Sequence, residues 1–394
     1  MSSEKYIAKT ILEMPPSGIR KFFDIASEMK DAISLGVGEP DFVTPWNIRE
    51  MAIYALESGK THYTSNHGLL ELRELVAKYL KDRFALEYHV EEMLITVGAS
   101  EALDLAFRTL IEPGDEVLVP APSYVSYMPG VKFAGGIPVP IATKEENNFK
   151  ILKEDIEAVI TPKTKAIVLP YPNNPTGAIM EKKDLEGILD TILRHDLFVI
   201  SDEIYAELTY GKDHVSVASF PEIKDRTVVI NGFSKAFAMT GFRLGYAAGP
   251  KPVIDAMVKI HQYTMLCAPI ISQIAGVEAL KYEMANDYIQ VKGMARQYNR
   301  RRQLIHREFN RIGFHCFEPE GAFYCFPNIT STGLSSEEFC TRLIREKKIA
   351  CVPGTAFGDG GEGFIRCSYA SSLENIVEAL RRIKEFAEEL KHES

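Results

Sequence analysis

The amino-acid sequence predicts an α/β protein whose larger part is a mostly parallel sheet flanked by helices. Two observations carry this prediction. From about residue 93 to residue 248, short apolar runs alternate with longer amphipathic segments, which is the order of strands and helices in a parallel sheet. Several runs are almost wholly apolar, such as 166–169, 198–200 and 228–230, as in strands that are buried on both faces.

The expected elements of this part follow one another in a regular order. Seven strands are expected, at residues 93–97, 116–119, 137–141, 165–169, 197–200, 227–230 and 244–248. Helices are expected between them, at residues 101–111, 126–133, 151–160 and 181–194. We therefore expect residues 46–284 to form one large domain around a single sheet.

The pattern changes after residue 282. The charged and amphipathic segment 282–311 predicts one long helix, which suits a connector between domains. Short strands are expected after it at 313–317, 321–327, 350–352 and 364–368, with helices at 337–347 and 373–390. We expect residues 285–394 to form a small α+β domain, and residues 1–45 to form an arm that belongs in part to it.

Composition and charge argue against several classes of protein. The 394 residues are 46% hydrophobic and carry a formal net charge of −9, which disfavours a nucleic acid or an anionic membrane as partner. No apolar run approaches the ~20 residues that span a bilayer. The first residues have neither a secretory nor a transit-peptide pattern, so we expect a cytoplasmic protein. The six cysteines show no metal-ligand spacing, and we expect free thiols and no metal.

Lys235 is the most informative residue of the chain. It lies in a polar turn with Ser234, directly after the apolar strand 227–230, and Arg243 follows eight residues later. A lysine at the end of a buried strand is desolvated, which lowers its pKa and makes it a nucleophile toward carbonyl groups. Ser234 and Arg243 are suited to hold a phosphate. The alternative is a surface lysine, against which several other segments argue.

Two further turns point to the same kind of ligand. Gly98, Ala99 and Ser100 open a helix, where free N–H groups and the helix dipole favour an anion; an ordinary N-cap serine is the alternative. Tyr124 follows another strand and would lay its ring across a planar ligand. An ordinary half-buried tyrosine is the alternative there.

Polar groups also follow the two central strands. Asp202 and Tyr205 come after the strand 197–200, and ligands of doubly wound sheets bind beyond the carboxyl ends of strands. The Asp202 carboxylate would pair with a cationic ring nitrogen. Asn174 lies in the turn 171–177, whose prolines and glycine would hold its amide in one orientation. A capping aspartate and a turn without a ligand are the alternatives.

Arg366 lies in the predicted strand 364–368. An arginine that points inward needs a carboxylate, which either a ligand or a structural ion pair would supply. The run 358–363 matches GxGxxG in its letters, but it precedes a strand and opens no helix. It therefore does not predict a dinucleotide site, and we set aside a nicotinamide-dependent dehydrogenase.

Together these motifs resemble those of the pyridoxal-phosphate-dependent aminotransferases of class I/II and fold type I. The similar branch includes bacterial aspartate, aromatic and acetyl-diaminopimelate aminotransferases. The resemblance covers residues 15–390 and includes SLGVGEPDF (34–42), HYTSNHGLLELR (62–73), GASEAL (98–103), PGDEVLVPAPSY (113–124), PNNPTG (172–177), SDEIY (201–205), SKAFAMTGFRLGY (234–246), PEGAFYCFP (319–327) and VPGTAFG (352–358). It implies the fold-type I architecture of a seven-stranded large domain with a small α+β domain.

The resemblance implies catalytic roles for three residues. Lys235 matches the lysine that forms a Schiff base with pyridoxal 5'-phosphate and later moves the α-proton of the substrate. Asp202 matches the carboxylate that keeps the pyridine nitrogen protonated, so that the ring accepts electrons. Tyr205 matches a tyrosine that hydrogen-bonds the 3'-oxygen of the ring.

It implies binding roles for the others. Asn174 matches a second group at the 3'-oxygen, and Tyr124 matches the aromatic residue that stacks on the ring. The phosphate contacts correspond to Ala99, Ser100, Ser234 and Arg243, with Tyr63 reaching the phosphate from the neighbouring subunit of a homodimer. The substrate's α-carboxylate corresponds to a grip formed by Arg366, Asn174 and the backbone at Gly38.

The implied reaction moves an amino group from an L-amino acid to a 2-oxo acid such as 2-oxoglutarate. A carbon–sulfur β-lyase or an aminocyclopropane-carboxylate synthase would share the cofactor site but release ammonia or a cyclic product. A pyridoxal-phosphate-sensing module of a transcription regulator would carry a DNA-binding helical domain ahead of this fold. In this sequence a short arm precedes the similar region, and the chain is acidic. We therefore expect the aminotransferase.

The donor follows less directly from the resemblance. In the similar branch the segment 12–20 borders the side-chain pocket, and Ile19 is apolar there. Ser100 stands where some aspartate-preferring members carry a lysine. We therefore expect a broad or aromatic donor rather than strict use of aspartate.

Overall fold

A seven-stranded sheet is the largest layer of the molecule in the computed structural model, which describes residues 3–16, 18–19, 29 and 31–393. The first strand of the chain, β1 (Ile33–Ser34), lies outside this sheet. The strands of the sheet are β2 (Met93–Thr96), β3 (Glu116–Ala121), β4 (Ile137–Ala142), β5 (Thr164–Leu169), β6 (Phe198–Asp202), β7 (Thr227–Gly232) and β8 (Gly245–Ala248). Across the sheet they lie in the order β2-β8-β7-β6-β5-β3-β4.

Strand direction decides where the ends of these strands meet. The neighbouring pairs from β4 through β3, β5 and β6 to β7 are all parallel. Only β8 runs the other way, antiparallel to both β7 and β2. The sheet is therefore mixed and mostly parallel, as the sequence predicts.

The apolar strands are buried on both faces. In β5, Ala166 and Val168 pack in one hydrophobic cluster, whereas Ile167 and Leu169 pack in another, because successive side chains of a strand point to opposite faces. Burial on both sides explains why β5 and β7 read as continuous apolar runs rather than alternating ones.

Helices cover both faces and continue beyond the sheet. The helices up to the end of the sheet are α1 (Lys9–Leu12), α2 (Trp46–Glu57), α3 (Leu70–Phe84), α4 (Gly98–Leu110), α5 (Tyr127–Phe133), α6 (Lys153–Glu157), α7 (Lys182–Arg194) and α8 (Pro221–Lys224). Those that follow are α9 (Lys251–Thr264), α10 (Ile270–Ala285), α11 (Ile289–Ile312), α12 (Ser336–Lys347) and α13 (Leu373–Glu393).

Two small sheets lie in the C-terminal part. The strands β9 (Tyr324–Cys325), β11 (Val352–Pro353) and β12 (Ile365–Ser368) form an antiparallel sheet in the order β11-β12-β9. The strand β10 (Ile349–Ala350) pairs in parallel with β1. The N-terminal segment thus pairs with C-terminal residues, while the predicted domain boundaries at residues 45 and 284 stay a prediction.

The predicted single helix over 282–311 is wrong. The chain leaves α10 at Ala285 and begins α11 at Ile289, and Asp287 and Tyr288 between them have φ values of 52° and 55°. Such left-handed residues cannot continue a right-handed helix. The carboxylate of Glu283 accepts hydrogen bonds from the N–H groups of Gln290 (3.3 Å) and Val291 (3.2 Å), which caps the new helix.

The predicted strand at 313–317 does not form. The segment alternates in hydrophobicity, but its N–H groups bond locally: Phe314 N donates to Phe309 O over 3.0 Å and Cys316 N to Asn310 Oδ1 over 3.2 Å. The predicted strand at 321–327 is shortened to β9, with an isolated bridge from Gly321 to Thr209. Periodicity alone does not reveal whether a partner strand is present.

Two further features bear on the expectations from composition. All six cysteines are free, and the sulfur atoms of Cys351 and Cys367 lie 3.3 Å apart in the core. Among the described residues, no helix is long and apolar enough to cross a membrane.

Replacing Ile167 tests how far stability depends on the central sheet. Ile167 is fully buried in β5, so we expect Ile167→Ala to lower the free energy of unfolding by about 2–5 kcal/mol through lost burial and a cavity. The control Ile137→Ala removes a side chain that is 45% exposed on the edge strand β4, and we expect a change within about 0.5 kcal/mol. Urea denaturation measures both, and equal losses would contradict the central position of β5.

Candidate active site

A cavity of about 840 Å³ opens at the edge of the large sheet where its parallel strands end. It brings together nearly all of the residues that the sequence singles out: Gly38, Ala99, Ser100, Tyr124, Asn174, Asp202, Tyr205, Ser234, Lys235, Arg243 and Arg366. Tyr63 does not line it, and its side chain is 82% exposed. In the described part of the chain, no group of three or more His, Cys, Asp or Glu residues is arranged to hold a metal ion.

Strand direction explains why distant segments converge here. Tyr124, Asn174 and Lys235 follow the parallel strands β3, β5 and β7, and Asp202 ends β6. Their carboxyl ends share one edge of the sheet, where α/β proteins bind ligands. Arg243 reaches the same edge because it precedes β8, which runs in the opposite direction.

The amine of Lys235 lies inside this cavity rather than on the surface. Its Nζ donates a hydrogen bond to Gly38 O over 2.6 Å and lies 5.8 Å and 5.7 Å from the ring centroids of Tyr205 and Phe323. Burial lowers the pKa of Lys235 to about 8, while the charge of Glu39 opposes this shift. A neutral amine, which is a nucleophile, is therefore available near neutral pH.

Asp202 is a buried carboxylate beneath the same cavity. Its Oδ2 accepts a hydrogen bond from the Tyr127 hydroxyl over 2.7 Å, and its Oδ1 accepts from the Ile204 N–H over 3.2 Å. Burial raises the pKa of Asp202 to about 6, and these two hydrogen bonds limit the rise. A cationic ligand atom would find here a fixed and poorly solvated counter-charge.

Arg243 and residues at the start of α4 line the same cavity and form a turn whose groups suit an anion. Gly98 has a φ of +73°, a backbone conformation that favours glycine, and a Cβ built on it would lie 2.7 Å from Nη2 of Arg243. The first N–H groups of a helix have no intrahelical acceptor. In the described residues, Arg243 forms no ion pair, and its Nη1 donates to Thr240 O over 3.0 Å. The turn therefore combines free donors with an unneutralised cation.

Arg366 is a second cation without a carboxylate. Only 2% of this residue is exposed, and its Nη1 and Nη2 donate to Asn174 Oδ1 (3.0 Å) and Gly36 O (2.5 Å). Its Nε is buried and has no hydrogen-bond partner within the residues that the structure describes, and its guanidinium lies 4.5 Å from the Tyr324 ring centroid. Across the described ranges no ion pair to Arg366 is present, so a structural ion pair does not account for its burial.

Sequence reasoning missed two tyrosines of the site. Tyr127 bonds Asp202 and is the first residue of α5, three residues after Tyr124. The hydroxyl of Tyr324 lies 2.9 Å from that of Tyr205 and 2.9 Å from a Cβ built on Gly38. No local sequence pattern reveals the contacts of Tyr324, because Gly38, Tyr205 and Tyr324 lie on distant segments of the chain. Burial raises the pKa values of Tyr205 and Tyr324, so both hydroxyls keep their protons.

Two other expectations can be placed. Ile19 lines the cavity, whereas Arg20, at the end of the predicted pocket segment, lies outside the described residues. The glycine run 358–363 lies between β11 and β12 and contains a short 3₁₀ turn, Asp359–Gly361. It opens no α-helix, in agreement with its dismissal as a dinucleotide motif.

Comparison with known proteins identifies the family. Residues 30–383 match the family described as aminotransferase class I and II, which uses pyridoxal phosphate. The chain is 52% identical to the Bacillus subtilis (strain 168) protein YugH, over 97% of the chain and 98% of that protein. It is 46% identical to the aspartate aminotransferase of Pyrococcus abyssi, over 95% of the chain and 97% of that enzyme.

A solved structure agrees with this result and with the predicted fold type. The aromatic aminotransferase from Pyrococcus horikoshii OT3 superposes with a TM-score of 0.89 at 43% identity, with 94% of this chain and 99% of that chain covered. Similarity of this extent includes both the large sheet and the C-terminal part. The protein is an aminotransferase, and its chain belongs to the aminotransferase class I and II family.

Proposed function

We propose that this aminotransferase binds pyridoxal 5'-phosphate in the 840 Å³ cavity and moves an amino group between an L-amino acid and a 2-oxo acid such as 2-oxoglutarate. One observation carries the proposal. The Lys235 amine, with its pKa lowered to about 8, shares a cavity with the buried Asp202 carboxylate and with Arg243 and Arg366, neither of which has a carboxylate partner among the described residues.

The residues fit the parts of the cofactor. Arg243, Ser234 and the amides of Ala99 and Ser100 would hold the phosphate, since they offer positive charge and free donors. Asp202 would pair with the protonated ring nitrogen, and Tyr124 would stack on the ring. The contacts to the 3'-oxygen would come from Tyr205 and Asn174. When bound, the cofactor supplies an electron-accepting ring that lowers the barrier to breaking the bond between Cα and hydrogen.

Lys235 would perform the proton transfers. Its neutral Nζ would take the proton from the substrate's Cα as a general base. The protonated amine would then give this proton back as a general acid. The carbonyl of Gly38, which accepts from Nζ over 2.6 Å, would orient the amine. The rings of Tyr205 and Phe323, 5.8 Å and 5.7 Å from Nζ, would limit the access of water to this transfer.

Arg366 would bind the α-carboxylate of both substrates. It is held by Asn174 and Gly36 O and has an unpartnered Nε, so a ligand carboxylate would complete its hydrogen bonds. Ile19, Leu103 and Val125 add apolar side chains to the lining of the cavity. The relatives include aspartate and aromatic aminotransferases, and together with these apolar residues they support a broad or aromatic donor.

A homodimer would complete the site. Tyr63 is 82% exposed on the loop before α3, and Asn66 of this loop donates to Leu266 O, just after α9, over 2.7 Å. Large apolar side chains are exposed in the same region and on the neighbouring helices: Trp46, Tyr54, Leu70, Tyr263 and Met265. A second copy would cover this face and would bring its Tyr63 to the phosphate.

Absorbance of the purified protein, recorded with a panel of amino acids and without an oxo acid, tests the reaction and the donor. We expect phenylalanine, tyrosine and aspartate each to convert the bound cofactor to its amine form and to release one equivalent of the matching oxo acid. Strict use of aspartate would reject a broad donor range. Release of ammonia and pyruvate from cysteine-type substrates would instead identify a lyase.

Replacing Lys235 tests its place in the chemistry. We expect Lys235→Ala to lower kcat by at least about 10³-fold, because both the nucleophile and the proton carrier are lost, while the variant still folds. Lys251→Ala serves as a control, since Lys251 pairs with Asp255 on the surface, and its kcat should match that of the wild type. Normal turnover by Lys235→Ala would refute the assignment.

The lowered pKa of Lys235 predicts how cofactor capture depends on pH. Only the neutral amine attacks an aldehyde, so the rate of pyridoxal phosphate capture by the cofactor-free protein should rise about tenfold per pH unit below pH 8. Above the pKa of about 8 the rate should level off. Stopped-flow absorbance measures this rate, with Nα-acetyl-lysine, whose side-chain amine is free, as the reference. A rate that keeps rising to pH 10, as for the free amine, would show that Lys235 is not desolvated.

A further inference from the structure

Two buried side chains are linked to the turn at Gly98 but do not line the cavity. Glu101 is on the first turns of α4 and is 9% exposed, and His261 is near the end of α9 and is 0% exposed. His261 Nδ1 donates to Glu101 Oε1 over 2.6 Å. The other oxygen, Oε2, accepts from the N–H of Val97 over 2.5 Å. One carboxylate thus ties the residue before Gly98 to a different helix.

The turn that this carboxylate holds has little room to shift. Gly98 follows Val97 with a φ of +73°, and its carbonyl accepts a hydrogen bond from the hydroxyl of Thr96 over 2.9 Å. Since a Cβ at Gly98 would lie 2.7 Å from Arg243, the turn and the guanidinium are already in contact. A displacement of a few tenths of an ångström would change how the Ala99 amide and Arg243 share one anion, because hydrogen bonds depend steeply on geometry.

Burial of the Glu101 carboxylate beside His261 is unfavourable, and the packing of the two side chains does not explain why it is tolerated. A buried carboxylate is unfavourable unless its hydrogen bonds are made, and an apolar pair of similar volume would often be as stable. In addition, Nε2 of His261 is buried without a partner within the described residues. The His261 ring therefore makes its one hydrogen bond to Glu101. This is what we expect if the role of His261 is to orient the Glu101 carboxylate.

The end of α9, the helix of His261, is also bonded to the loop that carries Tyr63, a residue predicted to contact the phosphate. The chain just after α9 accepts a hydrogen bond at Leu266 O from Asn66, on the loop that carries Tyr63. Gln273 supports this loop as well, since its Nε2 donates to Thr64 Oγ1 over 3.0 Å. The end of α9 is therefore linked to the start of α4 and to the loop of Tyr63.

We propose that Glu101 and His261 are positioning residues that hold the amides of Ala99 and Ser100 where, with Arg243, they fit the phosphate monoester of the cofactor. The inference rests on the proposed function, because it takes this turn as the phosphate site. Neither residue contacts the ligand, and their effect passes through the backbone of Val97 and Gly98.

The test compares two aldehydes that differ only in the phosphate. Cofactor-free full-length protein is titrated with pyridoxal 5'-phosphate and with pyridoxal, and the dissociation constants are measured by absorbance. The solution behaviour of each compound is the same for every variant, so a change in the ratio of the two constants from one variant to another isolates the phosphate. Competition by inorganic phosphate gives a second readout that involves no aldehyde.

We expect His261→Leu and Glu101→Gln to weaken binding of pyridoxal 5'-phosphate by about tenfold or more, as for a lost hydrogen bond to a charged group. Pyridoxal binding should change by less than about twofold. His261→Asn, whose amide N–H can stand in for Nδ1–H, should restore most of the ratio. Asp104→Asn is the matched control and should keep the wild-type ratio, because Asp104 is on the same helix and, among the described residues, pairs with Arg108.

The outcomes separate the two proposals. A wild-type protein without preference for the phosphorylated aldehyde would overturn the phosphate site, and this inference with it. A wild type that has the preference, together with variants that keep it, would overturn the inference alone. Equal loss for both aldehydes, with a lowered thermal midpoint of the cofactor-free protein, would assign the pair to stability and also overturn it. If Glu101→Gln does not fold, the comparison of His261→Leu with His261→Asn decides.

Discussion

The shared direction of β3, β5, β6 and β7 is the constraint on which the rest of the site depends. Parallel strands release their chains at one edge of the sheet, so Tyr124, Asn174, Asp202 and Lys235 meet although up to 111 residues separate them along the chain. The apolar side chains inside those strands fix the register on both faces. The polar residues after them are consequently held by the core rather than by loops of their own.

The charges that meet at this edge do not balance within the chain. Lys235, Arg243 and Arg366 line the cavity, and no ion pair neutralises either arginine in the described part of the molecule. Asp202 and Glu39 are the acidic residues of the same lining. Arg366 is only 2% exposed, and an unpaired buried charge is unfavourable, so the free protein carries an electrostatic cost there that a bound anion would relieve. The two arginines lie on separate elements, which suits a ligand set with two distinct anionic groups.

The sequence was sufficient for most of the site but not for its supports. Strand ends mark Asp202 and Lys235, because an apolar run followed by a polar residue is a local pattern. Glu101 and His261 are 160 residues apart, and no spacing connects them. Likewise, Arg366 can be suspected of facing inward, yet its contact with Gly36 O depends on how the N-terminal segment pairs with β10. The helix break at Asp287 and the missing strand at 313–317 depend on backbone conformation and on partners, which periodicity does not report.

The hydrogen bond between the hydroxyls of Tyr205 and Tyr324 leaves one of their two O–H donors unused. Two phenols that both keep their protons have two O–H groups, but a single bond of 2.9 Å between them uses one. The remaining O–H can turn toward an oxygen in the cavity. Because Tyr324 lies in β9 and Tyr205 follows β6, the position of that donor depends on two sheets at once.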